Sequence, residues 1–281
     1  MVDTNDAWIR ERTGVEKRHI AESESTVSMA VEAGRQALAQ TGVRPEELDM
    51  IVVSTMSPDA VLPCTACEVQ KAIGAEGAVC FDLQAACTGF IFAYNTAQAY
   101  IQSNMCRTVL LIGSERLSRL VDWTDRGTCI LFGDGAGAAV LKAAEGRAYL
   151  PVSHSDGKKG EALTCDRYIH MDGRAVFQFA VTRVSEVIRE VLTKNELLMD
   201  DIDYFVLHQA NRRIVEAVAK RLGQPIEKFP MNLQEYGNTS SASIPILLDE
   251  MNRLGKLKKG QKLVVAGFGA GLSWGASIVE W

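Results

Sequence analysis

The sequence predicts an α/β fold made of two similar halves, each a mainly parallel sheet covered by helices, stacked as five layers, αβαβα. Three observations carry this. Segments 34–54 and 188–208 superpose without a gap at an offset of 154 residues, placing Arg35 over Arg189, Leu38 over Leu192, Asp49 over Asp203 and Val52 over Val206. Further landmarks recur in the same order at offsets of 149 to 154: Gly74 over Gly223, Leu83-Gln84 over Leu233-Gln234, and Gly113 over Gly267. Strand candidates such as Met50–Val53 and Thr108–Ile112 are apolar at every position, the pattern of strands buried on both faces.

The chain opens on the polar stretch MVDTNDAWIRERTG, which has no signal-peptide core. Trp8 and Arg12 fall four apart on a predicted helix, a spacing that suits sandwiching a flat ring, although such pairs more often pack on a surface. Cys64-x-x-Cys67 precedes a helix that stops at Gly74. It has no second Cys or His pair to make a zinc site, and a redox role is its minor reading. Gly77–Leu83 reads as a strand, Gln84–Gly89 as a turn, and Phe90 to Ile101 as an apolar helix. Gly133–Gly137 fails the GxGxxG spacing and is expected to pack structurally, as the first-half counterpart of Ala266–Gly271.

The halves divide at 1–145 and 146–281. The second opens with a strand-like segment, Ala148–Ser153, that the first does not match, so a first strand is missing or the true chain starts further upstream. Tyr204–Leu207 reads as a strand ending at His208. On the helix that follows, Arg213, Lys220 and Arg221 share a face, a solvated surface or a dock for an acidic partner. Pro230–Leu233 is expected to be a strand, followed by a turn at Gly237 and then Asn238. Lys262–Val265 is a strand leading into Ala266–Gly271, whose backbone N–H groups suit an oxyanion; no Lys-Ser/Thr follows to make a phosphate loop.

Composition limits the function classes. The 281 residues are 47% hydrophobic and 23% charged, which supports a sizeable core and excludes disorder. A net charge of -5 excludes a global basic footprint for nucleic acid. No apolar run reaches membrane-spanning length. Seven cysteines, an odd number, in a chain without a leader fit a reducing cytoplasm.

Among those cysteines, Cys87 falls at a strand-to-helix junction, where unsatisfied N–H groups and the helix dipole favour a thiolate. By position alone a buried, inert cysteine is the commoner outcome. The duplication shifts that balance. With a one-residue gap, Cys87 takes the place that Asn238 takes in the second half, and Ser54 takes the place of His208. Open α/β sheets collect their chemistry at the carboxyl ends of strands, so Cys, His and Asn at equivalent ends point to nucleophilic catalysis.

The stretches DTNDAWIRERTGVEKRHI, FDLQAACTGF, TDRGTCILFGDGAGAAVL, HQANRRI, YGNTSSASIP and GFGAGLSWG occur in this order almost end to end. In them the chain resembles the β-ketoacyl-acyl carrier protein synthase III family of thiolase-fold condensing enzymes. The resemblance implies a thiolase-like fold and a decarboxylating Claisen condensation of an acyl-CoA starter with malonyl-acyl carrier protein, initiating fatty acid biosynthesis. By resemblance Cys87 is the acylated nucleophile, His208 and Asn238 complete the triad, and the N–H groups of Cys87 and Ala270 meet the oxyanion. It further implies coenzyme A contacts at Trp8, Arg12, Arg126 and Asn211, and carrier-protein docking at Arg213, Lys220 and Arg221. It implies a cytoplasmic homodimer with no metal and no cofactor beyond the coenzyme A thioester as substrate, and with neither nucleic acid nor membrane as partner. Several features depart from the family pattern. Gln178 stands where a Lys is often found, Leu62 stands where an aromatic often reaches into the partner subunit, the first strand is missing, and Ser155–Met171 is short. A starter synthase of polyketide or quinolone type with the same triad is the near alternative. A papain-like hydrolase predicts a CGSCW-like motif that is not present, a biosynthetic thiolase predicts a catalytic Cys beyond Cys165, and the intact triad argues against a non-catalytic carrier-binding scaffold.

Overall fold

The computed structural model describes residues 2–281. The first sheet has the order β2-β1-β3-β4, from β1 (Met50–Ser54), β2 (Val79–Leu83), β3 (Thr108–Glu115) and β4 (Gly135–Lys142). The second has the order β5-β10-β9-β8, from β5 (Val152–Ser155), β8 (Tyr204–Leu207), β9 (Lys262–Gly269) and β10 (Ser273–Glu280). A short hairpin, β6 (Leu163–Cys165) and β7 (Ile169–Met171), stands apart. The helices are α1 (Asp6–Thr13), α2 (Thr26–Thr41), α3 (Thr65–Ile73), α4 (Gly89–Gln102), α5 (Arg126–Cys129), α6 (Gly173–Lys194), α7 (Arg212–Leu222), α8 (Leu233–Tyr236) and α9 (Ser243–Arg253). None is long and apolar enough to cross a membrane.

Five layers result. α2 and α3 cover the outer face of the first sheet, α4 and α9 lie between the sheets, and α6 and α7 cover the outer face of the second. β1 shows why the central strands are apolar throughout: Ile51 and Val53 pack into the outer core, while Met50 and Val52 pack into the core around α4. The sheets are mixed rather than mainly parallel. β1 runs parallel to β2 and β3, and β8 to β9, but β4, β10 and β5 pair antiparallel. Only a few residues join β9 to β10, and a link that short permits antiparallel pairing alone.

The duplication is sharper in the structure. The short turns Pro45–Glu47 and Met199–Asp201, the strands β3 and β9, and the turns Ala86–Thr88 and Ser240–Ala242 all begin 154 residues apart. Asp49 accepts a hydrogen bond from the Thr108 amide at 2.9 Å, and Asp203 accepts one from the Lys262 amide at 2.8 Å. Gly113 faces Gly137 across β3–β4, as Gly267 faces Gly275 across β9–β10.

This register corrects two equivalences. Cys87 corresponds to Ser241 with no gap, and Asn238 corresponds to Gln84, not to Cys87; Leu233-Gln234 therefore does not match Leu83-Gln84. Gly133–Gly137 leads into β4 and matches the start of β10. The counterpart of 266–271 is the end of β3 and the two residues beyond it. β9 also runs on through Gly269, so most of Ala266–Gly271 is strand.

One expected strand is absent and another starts late, and in both places side chains take over the backbone hydrogen bonds. Pro230–Leu233 forms no strand, since Pro230 has no N–H and the Gln209 amide takes the Asn232 N–H at 3.1 Å. Likewise β5 begins only at Val152: Pro151 breaks the ladder, and the Asn195 side chain accepts from the Leu150 N–H at 2.8 Å and donates to its carbonyl at 2.9 Å. β5 pairs with the outer edge of β10, but among the described residues no strand pairs with the matching edge of β4.

Candidate active site

A cavity of about 920 Å³ opens between α1, α5, α7 and the β6–β7 hairpin and reaches inward to Cys87, His208 and Asn238. All three sequence-predicted catalytic residues line it, and all three are buried.

Cys87 lies in the tight turn Ala86–Thr88 between β2 and α4. Ala86 holds that turn at φ +46°, in the left-handed region, which presents the next side chain at its apex. Gly269 at the end of β9 packs against this turn so closely that a Cβ there would lie 2.8 Å from the Cys87 nitrogen and 3.0 Å from the Thr88 nitrogen. That contact brings the following residue, Ala270, beside the nucleophile. The expected thiolate is not the resting form. Burial pushes the Cys87 thiol up to about 12, with the Glu115 carboxyl acting in the same direction, while Ser240 and the residue's own amide pull it down. Desolvation outweighs these two donors.

His208 follows β8. Its Nδ1 lies 2.7 Å from the Ser243 hydroxyl at the start of α9. Ser243 Oγ also accepts from the Gln209 amide at 3.3 Å, and Nδ1 is the one acceptor its hydroxyl proton meets among the described residues. The ring is therefore the Nε2–H tautomer. Nε2 has no hydrogen-bond partner among the described residues. Burial drops the imidazole pKa to about 3, so the donor is neutral. Asn238 is fixed by its backbone, which donates to the Leu131 carbonyl at 2.8 Å and accepts from the Gly133 amide at 3.0 Å. Its Oδ1 accepts from the Ser240 amide at 2.9 Å, which leaves the NH₂ end to face the cavity.

The residues expected to hold coenzyme A, Trp8, Arg12, Arg126 and Asn211, line the mouth. The cation over the Trp8 ring is Arg126, at 5.0 Å, rather than Arg12. Asn211 caps α7, accepting from the Arg213 amide at 2.8 Å, and donates to the Arg12 carbonyl at 3.3 Å. Arg213, Lys220 and Arg221 are exposed on α7; Arg213 and Gln178 reach the cavity rim. Leu62 and its neighbour Val61 are among the most exposed apolar side chains, at 82% and 90%.

Three contributors were missed in the sequence. Ser240 and Ser243 lie within TSSAS, where nothing distinguishes one serine from the next until the turn is folded. Glu115 had a signal, a single acid ending the apolar strand VLLIGSE. It is fully buried and bonded to Ser57 at 2.6 Å, Ser241 at 2.8 Å, the Met56 amide at 3.1 Å and Thr55 at 3.2 Å.

Comparison with known proteins agrees with this geometry. Residues 81–157 match the family model described as 3-oxoacyl-[acyl-carrier-protein (ACP)] synthase III, and residues 192–281 match its C-terminal model. The chain is 47% identical to the beta-ketoacyl-[acyl-carrier-protein] synthase III of Clostridium novyi (strain NT), over 100% of this chain and 92% of that protein. That alignment spans 298 positions, more than the 281 residues here, so the relative carries residues within the matched span that this chain lacks. Among solved structures, 3-oxoacyl-[acyl-carrier-protein] synthase III from Aquifex aeolicus VF5 superposes with a TM-score of 0.97 at 44% identity, covering 100% of this chain and 92% of that one. The priming beta-ketosynthase of the R1128 polyketide pathway superposes with a TM-score of 0.95 at 37% identity, covering 99% and 89%. With its duplicated five-layer architecture and both halves matched, the chain belongs to the 3-oxoacyl-[acyl-carrier-protein] synthase III family of thiolase-fold enzymes.

Proposed function

We infer that this acyltransferase condenses an acyl-CoA starter with malonyl-acyl carrier protein through an acyl-Cys87 intermediate, the step that initiates fatty acid biosynthesis. One observation carries the reading. His208 and Asn238 each have one end tied down by the fold, and each turns its remaining N–H donor into the cavity that holds the Cys87 thiol.

The steps follow from those donors. The Cys87 sulfur attacks the starter thioester while the N–H groups of Cys87 and Ala270 meet the oxyanion, and the thiol proton leaves with coenzyme A as its free thiol. Malonyl-carrier protein then enters. His208 Nε2–H and the Asn238 amide hydrogen-bond its thioester oxygen and stabilise the enolate formed as CO2 departs. The enolate carbon attacks acyl-Cys87, and the sulfur leaves as a thiolate that takes a proton from solvent, giving a 3-oxoacyl-carrier protein and the resting thiol. Neutral donors suit a developing negative oxygen. Electrons balance throughout, so the reaction needs no redox cofactor.

Trp8, Arg12, Arg126 and Asn211 are assigned to coenzyme A, since they line the same cavity as Cys87 and lie at its more exposed end. The exposed Arg213, Lys220 and Arg221 are assigned to an acidic carrier protein. The working unit is a homodimer; the exposed Val61 and Leu62 before α3 and Val79 at the start of β2 are apolar surface that a second copy covers. Seven free thiols suit a reducing cytoplasm.

The test is a panel of acyl-CoA starters with malonyl-carrier protein, reading CO2 release and the 3-oxoacyl product. His208→Ala is expected to keep acylation of Cys87 and to slow decarboxylation by about a hundredfold to a thousandfold, the usual cost of one such donor. Equal loss of both steps contradicts the division of labour.

A further inference from the structure

The duplicated turn shows which part of the site the fold itself requires. In the first half Ala86 opens the turn at φ +46°; in the second Ser240 opens the matching turn at φ +51°. The backbone conformation is therefore satisfied by alanine, and the Ser240 hydroxyl is not needed to make the turn. That hydroxyl is buried, lines the cavity and has no hydrogen-bond partner among the described residues. An unpartnered buried hydroxyl is costly in this state and calls for another state of the site that uses it. The Ser240 turn packs directly against the Cys87 turn, both residues line the same cavity, and the Glu115 carboxyl lies near the hydroxyl. The Ser240 amide is already committed to Asn238 Oδ1 at 2.9 Å, so the residue cannot swing away without releasing Asn238.

We propose that Ser240 is a further catalytic residue, whose hydroxyl donates a hydrogen bond to the Cys87 sulfur as that sulfur loses its proton and attacks the starter thioester. A hydroxyl donor is worth more to a charged sulfur than to a neutral thiol, so the bond favours the attacking form over the resting one. Burial opposes that charge at Cys87, and a hydroxyl donor opposes the burial. The titratable groups that face the sulfur are His208 at the end of β8, whose free Nε2–H points into the same cavity, and Glu115 at the end of β3. Glu115 is itself pushed up by burial. The proposal rests on Cys87 as the acylated residue, and its test needs no acyl-CoA.

The experiment follows alkylation of Cys87 by iodoacetamide against pH, read by mass spectrometry of the Cys87 peptide, in wild type, Ser240→Ala and Ser240→Gly. Ala86 shows that alanine fits this turn, and glycine fits any left-handed position. Loss of the donor is expected to move the profile to higher pH and to slow alkylation below its midpoint by about tenfold in both variants. Wild-type profiles in folded variants overturn the proposal. So does slowing in one variant only, since both lack the hydroxyl. Absence of acetyl transfer from acetyl-CoA, with the alkylation shift intact, instead counts against the function proposed above.

Discussion

At Cys87 and His208 burial sets the protonation state, and it does so in opposite senses for an acid and a base. It raises the thiol and lowers the imidazole, so both are neutral at rest. For His208 the consequence reaches stability. An unfolded chain protonates this imidazole below its ordinary 6.5, whereas the folded chain resists until about 3. Between those values the unfolded state holds more protons, so this residue's contribution is complete above 6.5 and is lost as pH falls towards 3. His208→Gln is expected to flatten the acid side of the stability curve by about 1.4 kcal/mol per pH unit. Denaturant unfolding of both proteins over that range checks it, and parallel curves contradict it. That Cys87, His208 and Asn238 share one cavity was legible from their types and order and from the strands before Cys87 and His208, whereas the strand expected before Asn238 does not form. The tautomer of His208 was not legible, since it depends on Ser243, thirty-five residues away in the chain.

Among the elements, continuous apolar runs marked β1 and β3 correctly because both faces of those strands are covered. Pattern reading failed at Pro230–Leu233 and Ala148–Pro151 for one shared reason. There a glutamine or asparagine side chain supplies the hydrogen bonds that a neighbouring strand normally supplies, and the partner is distant in sequence. The end of β9 carries a direct packing constraint on the nucleophile turn. Gly269→Ala places a methyl group against the Cys87 and Thr88 amides, with backbone on the receiving side. It is expected to cost about 1–3 kcal/mol of stability and to suppress acylation of Cys87. Thermal melting with an acetyl-CoA labelling assay checks both, and an unchanged labelling rate contradicts the placement. Asn211→Ala removes the α7 cap and its tie to α1, and is expected to cost about 1 kcal/mol by the same melting measurement.

Across the whole molecule, the duplication was the most legible feature, since an ungapped 154-residue offset survives in the sequence itself. Its finer register was not legible: Cys87 mates with Ser241 and Gln84 with Asn238, and only the paired turns and strands fix that. The asymmetry between mates explains the chemistry. Each half contributes the same backbone frame, and the functional side chains differ, with thiol in one half and both neutral donors in the other. The cavity where they meet exists only when both halves pack around α4 and α9. The most direct test of this account is intact-protein and peptide mass spectrometry after incubation with acetyl-CoA and related starters. One acyl group on Cys87, absent in Cys87→Ser, is the expected result. An acyl group on another of the seven cysteines, or on none with any starter, contradicts it.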